Sequence, residues 1–121
     1  MDDAEFEREA AAALNRLPKK FLKLLHNVEI VVEKKPTKRQ LREMRLDPDE
    51  ALYGLYEGTP LSERSVFAPP VLPDRITLYS EPLHRDFPDP DELRRQIHYT
   101  VVHEIAHFFG MDEDEIEDLG Y

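Results

Sequence analysis

The chain has 121 residues and no cysteine, with 16 Lys and Arg against 26 Asp and Glu for a formal net charge of −10. That length holds one modest core, so a single domain over residues 1–121 is expected. The lack of cysteine excludes disulfides, thiolate metal ligands and a cysteine nucleophile, and the negative charge argues against nucleic acid and anionic membranes as partners.

The acidic start, MDDAEFEREA, has no basic stretch leading into an apolar run, so no secretory signal is expected. No window approaches the roughly 18 uninterrupted apolar residues of a membrane span. The expectation is a monomeric, cytoplasmic protein. In residues 3–25, Phe6, Ala10, Leu14, Leu17, Phe21 and Leu25 recur three or four apart, which is helical spacing. Pro18 falls inside the pattern and should split it into two helices. In NVEIVVEKKP, Val28, Ile30 and Val32 alternate with their neighbours as a strand does.

TKRQLREMRLDPDE is charged and reads as a loop or a short helix. ALYGLYEGTP is a second strand ending at Gly58 and Pro60. Residues 59–74 hold four prolines and read as a long loop. RITLYS is a third strand, and EPLHRDFPDP a proline-rich connection. Asp89 or Asp91 then caps a long helix with Pro90 in its first turn, running to about Phe109 and stopped by Gly110. DEDEIEDLGY adds a turn or two of helix. Helices first, then strands, then a helix predict an α+β fold with a small sheet.

The long helix carries the chemistry, in HYTVVHEIAHFFGMDEDE. With His103 at zero on a helical wheel, His107 falls at about 40° and Glu104 at about 100°. Val101, Val102, Ile105, Phe108 and Phe109 occupy about 140° to 260°, the opposite side. One face can dock on a sheet while the polar face looks into a cleft. His-Glu-x-x-His is the spacing of metallohydrolases. Two imidazoles one turn apart can converge on a single Zn²⁺ at roughly 2.0–2.1 Å. Glu104 sits too far round the helix to ligate easily, but can act as general base toward water. His98, at about 220° on the same wheel, reads as a core-facing histidine with a hydrogen-bond partner. His84 reads as an exposed loop residue with a possible ligand or substrate role, and His26 as a helix-ending cation. The five tyrosines read mainly as packing groups.

Gly110 lies seven residues after His103, with Asp112, Glu113 and Asp114 behind it. With these additions the sequence resembles the zincin metallopeptidases in their extended form His-Glu-x-x-His-x-x-Gly-x-x-(His/Asp). More closely it resembles the small bacterial minimal zincin family, through LYGLYEGTPLSER, LPDRITLYSEPL and HEIAHFFGMDEDEIEDLGY, which stand in that family's order. The resemblance implies an α+β minimal zincin-like fold: N-terminal helices, a small mixed three- to four-stranded sheet, and a C-terminal metal-binding helix. It implies one Zn²⁺ per chain on His103, His107 and a third ligand at Glu113, where the family pattern has His or Asp. Asp112 and Asp114 are the alternatives to Glu113.

The resemblance also suggests that RITLYS is a sheet edge on which an extended substrate pairs, against the alternative of an ordinary strand. The function expected is a zinc-dependent hydrolase, a metallopeptidase with Glu104 as general base, acting on peptides or unfolded protein. Its rivals are a metal-stabilised protein-interaction module without peptidase activity and a degenerate relative that no longer holds zinc.

Overall fold

The computed structural model of the chain describes residues 1–23, 25, 28–44, 52–58, 74–118 and 120, without the side chains of 20, 21 and 113. Helix α1 (Asp3–Asn15) opens on a capping box. The Glu5 N–H donates to Asp2 Oδ1 at 2.8 Å, and Glu5 reaches back to the Asp2 N–H. Phe6, Ala10 and Ala13, spaced for one face, are fully buried. Pro18 divides the helical pattern as expected, and the single turn α2 (Lys19–Leu22) follows it. Strand β1 (Val28–Glu33) comes next, then α3 (Lys38–Glu43). TKRQLREM is thus a short helix, begun by a second capping box between Thr37 and Gln40.

Strands β2 (Gly54–Glu57) and β3 (Asp74–Tyr79) complete a mixed three-stranded sheet in the order β1-β3-β2. β1 runs parallel to β3, from Val28 opposite Asp74 to Glu33 opposite Tyr79. β2 runs antiparallel on the other side, from Gly54 opposite Leu78 to Glu57 opposite Arg75. This corrects one expectation. RITLYS is the central strand, with backbone hydrogen bonds taken on both sides, so no substrate can pair with it. Among the described residues the edges belong to β1 and β2 instead. The long loop expected over residues 59–74 lies outside the described residues, Asp74 excepted.

Residues 80–86 hold a second difference. They form helix α4 (Ser80–Asp86) rather than an irregular connection. Pro82 sits in the first turn, where an N–H would have no intrahelical partner. Pro82 and Leu83 are buried, and the Glu81 N–H donates to Lys34 O at 2.8 Å.

Helices α5 (Pro90–Phe108) and α6 (Glu113–Asp118) close the order. One sheet face carries Tyr56, Ile76 and Leu78 into a single apolar cluster with Phe6, Ala10 and Ala13 of α1 and Leu93, Ile97, Val101, Val102 and Ile105 of α5. The architecture is α+β, with α1 and α5 packed on the sheet. At Gly54 a Cβ would stand 2.7 Å from Thr100 Cγ2. The bare backbone lets β2 lie directly against the middle of α5. Among the described residues no helix is long and apolar enough to cross a membrane.

Candidate metal centre

The Asp89 carboxylate, as N-cap of α5, accepts from the Glu92 N–H at 3.0 Å, and Pro90 supplies a preset first turn. Ile97, Val101, Val102 and Ile105 are at most 1% exposed and fix the rotation of the helix on the sheet. That rotation leaves His103 and Glu104 half-buried and His107 exposed.

The helix ends in a Schellman motif. The Gly110 N–H donates to His107 O at 3.0 Å and the Met111 N–H to Ala106 O at 2.9 Å, with Gly110 at φ +80°. Gly110 thus has the stopping role read from the sequence. Asp112 then caps α6, accepting from the Glu115 N–H at 2.9 Å, and Ile116, fully buried, docks α6 on the body.

The structure brings His103 and His107 together with ring centroids 5.8 Å apart and planes 89° to one another. Two imidazoles on one tetrahedral Zn²⁺, each nitrogen about 2.0–2.1 Å from the ion, would hold their centroids roughly 5 Å apart. The observed separation is within about 1 Å of that value. His103 Nε2 is buried. Glu104 makes no hydrogen bond or ion pair among the described residues, and burial pushes its carboxyl above the usual carboxylate range, opposed in part by His107. Burial thus raises the proton affinity of a carboxyl that stands beside the two imidazoles.

Glu113 is the first residue of α6, and its side chain lies outside the described residues. Among the described residues no group of three His, Asp or Glu stands ready for a metal. Of the alternatives to Glu113, Asp112 is engaged as the helix cap and Asp114 is exposed.

His98 is mostly buried, and its Nε2 donates to Glu9 Oε2 at 2.8 Å. It belongs to the α1–α5 contact. His84 is exposed on α4, its ring edge-on to Phe6 at 5.2 Å, and His26 and Tyr121 lie outside the described residues.

Tyr79 is fully buried, its OH without a hydrogen-bond partner among the described residues. Burial first, then the nearby Glu33, Glu57 and Glu104, push its phenol up to about 12. Tyr56 donates to the buried Asp74 at 2.6 Å while its ring meets Phe108 at 4.6 Å. Tyr99 has a role that composition did not reveal. It stacks on His103 at 3.9 Å with planes 25° apart, while 44% exposed. The signal was its position four residues before His103, one turn away on the same face.

A small α+β domain whose longest helix sets His-Glu-x-x-His between a docked apolar face and open solvent has the build of the zincin class. A family model described as zincin-like metallopeptidase matches residues 25–121, and the chain belongs to that family. The match runs from just before β1 through α6 and leaves α1 and α2 ahead of it. A search of curated proteins returned no match.

Proposed function

We propose that the protein is a peptidase that binds one Zn²⁺ per chain on His103, His107 and Glu113 and cleaves extended peptides or unfolded segments. When bound, the ion supplies Lewis-acid polarisation of the scissile carbonyl and makes water acidic enough to attack near neutral pH. The chain does the rest. His103 and His107 present neutral imidazole nitrogens from consecutive turns of one helix. Glu104 takes the proton of the attacking water onto its carboxylate and passes it to the departing amine. Its half-buried setting raises its proton affinity, which suits a group that must accept a proton and then release it. Monomeric action in the cytoplasm, within a single domain, completes the reading.

The observation that carries this is the 5.8 Å separation of the two imidazole rings, beside a partly desolvated Glu104 carboxyl that has no hydrogen bond or ion pair among the described residues. A structural metal site would more often close its coordination with a fourth protein ligand.

Glu104→Gln is the test. Protein purified without chelator should contain one zinc per chain in both wild type and variant, while only wild type should hydrolyse members of a broad peptide library. Zinc-bearing wild type that cleaves nothing would favour a metal-stabilised interaction module. Absence of stoichiometric zinc would mean a domain that has lost its metal.

A further inference from the structure

A groove of about 740 Å³ runs between α1 and the first half of α5. Its walls include Glu9 and Arg16 on one side and Asp91, Arg94, His98 and Tyr99 on the other. The acidic side chains in it are already matched. Glu9 accepts from Arg94 Nε at 3.0 Å and from His98 Nε2 at 2.8 Å, and Asp91 accepts from Arg94 at 3.2 Å. Arg95, also on the wall, is paired with Glu92. Arg16 is different: exposed at the C-cap of α1, it makes no ion pair among the described residues. In a chain of net charge −10, this groove offers an uncommitted guanidinium.

The groove also touches the candidate metal centre. Tyr99 lines it and stacks on His103 at 3.9 Å. A ligand lying along the groove meets the ring that backs the first imidazole. Furthermore, Glu9 and Arg16 precede residue 25, where the family match begins.

We propose that the groove is a specificity subsite for an acidic side chain of an extended peptide, with Arg16 receiving the carboxylate and Tyr99 supporting the peptide where it passes toward His103. The assignment deepens the peptidase reading and rests on it. A guanidinium suits a carboxylate because its paired N–H groups match the two oxygens. The committed pairs around Glu9 hold the wall in place without competing for the ligand.

The test measures binding alone, in the full-length Glu104→Gln protein. Acetylated, amidated fluorescent peptides carrying a single Glu at successive positions are compared by anisotropy with the same peptides carrying Gln. At one position Glu should bind about two- to fivefold tighter than Gln at low salt, as expected for an exposed charge contact. The advantage should shrink in high salt. It should vanish in Arg16→Gln, whose circular dichroism should match the parent and whose affinity for the Gln peptide should not change. Filling the groove with Ala12→Phe should weaken the Glu peptide's binding.

Equal binding of Glu and Gln peptides at every position overturns the proposal. So does a preference that survives Arg16→Gln, the result expected if the carboxylate sits on the metal instead. Binding seen only with a control peptide left with a free C-terminus also overturns it. Because no hydrolysis is read, a wild-type protein that cleaves none of these peptides counts against the peptidase reading and not against the groove.

Discussion

The two halves of α5 lie on the same sheet and bury the same kind of apolar stripe, yet treat charge in opposite ways. Residues 90–99 are held in a lattice of partners: Arg94 with Glu9 and Asp91, Arg95 and Gln96 with Glu92, His98 with Glu9. In residues 100–109 the formally charged side chain is Glu104, which has neither a hydrogen bond nor an ion pair among the described residues and has its proton affinity raised by burial. The first half uses its ionisable groups to fix the helix against α1. The second keeps a carboxyl whose proton affinity burial raises, as the proposed general base requires. In the proposed reading one helix provides both the mount and the tool, and the tool depends on the mount for its aim.

The contrast can be broken most forcefully at Glu104. Its replacement by Gln should lower peptide hydrolysis by about 10²–10⁴-fold, or roughly 3–5 kcal/mol of barrier. The metal-free variant should unfold at no lower urea concentration than metal-free wild type, since a partly desolvated carboxyl has become a neutral amide. A large loss of stability would mean that Glu104 supports the fold.

Next comes Ile97→Ala, in the fixed half, where the side chain is fully buried. It should cost about 2–5 kcal/mol, read as a shift in the urea midpoint, with turnover per folded molecule largely preserved. Asp89→Ala, which deletes the N-cap, should cost about 1 kcal/mol by the same measurement.

Smallest is Glu92→Gln. Hydrogen bonds from Arg95 first and Gln96 second hold the Glu92 carboxyl below its ordinary range. A depressed folded-state pKa contributes stability above the unfolded value near 4.3, and the contribution is lost as pH falls through the folded value. The variant should therefore be slightly less stable than wild type at pH 7, the gap closing below about pH 4 and in high salt. A gap that persists in acid would show that Glu92 acts through something other than its charge.

Much of this was readable before the fold was known, because local rules govern it. The helical period of Phe6, Ala10 and Leu17, the break at Pro18, a cap at Asp89 or Asp91 and the stop at Gly110 are all decided within a few residues, although Ala13 rather than Leu14 is the fully buried residue of that turn. So is the division of α5 into a buried stripe and a His–Glu face. What the sequence could not supply depends on distant partners. The central place of β3 follows from its parallel pairing with β1, more than 40 positions away, and parallel pairing has no turn signal to betray it.

The Glu9–His98 bond spans 89 positions. The burial of His98 could be read from the wheel, but its partner could not. Helix α4 was hidden by the prolines at 82, 88 and 90, whose density suggests a loop although the one inside the helix sits harmlessly in its first turn. In the candidate site, the two histidines and Glu104 were legible from spacing. The Tyr99 stack required looking one turn upstream of the motif, where an aromatic reads first as packing.

Gly54 gives the sheet and the long helix a fixed separation. With Thr100 Cγ2 only 2.7 Å from where a Cβ would stand, one added carbon acts as a wedge at the pivot of a lever. Its short arm is the seat of β2 on α5. Its long arm is the remaining two turns, which carry both imidazoles. A small tilt at Thr100 becomes a larger sweep at His107, so where the pair stands against the sheet depends on an atom that the chain leaves out.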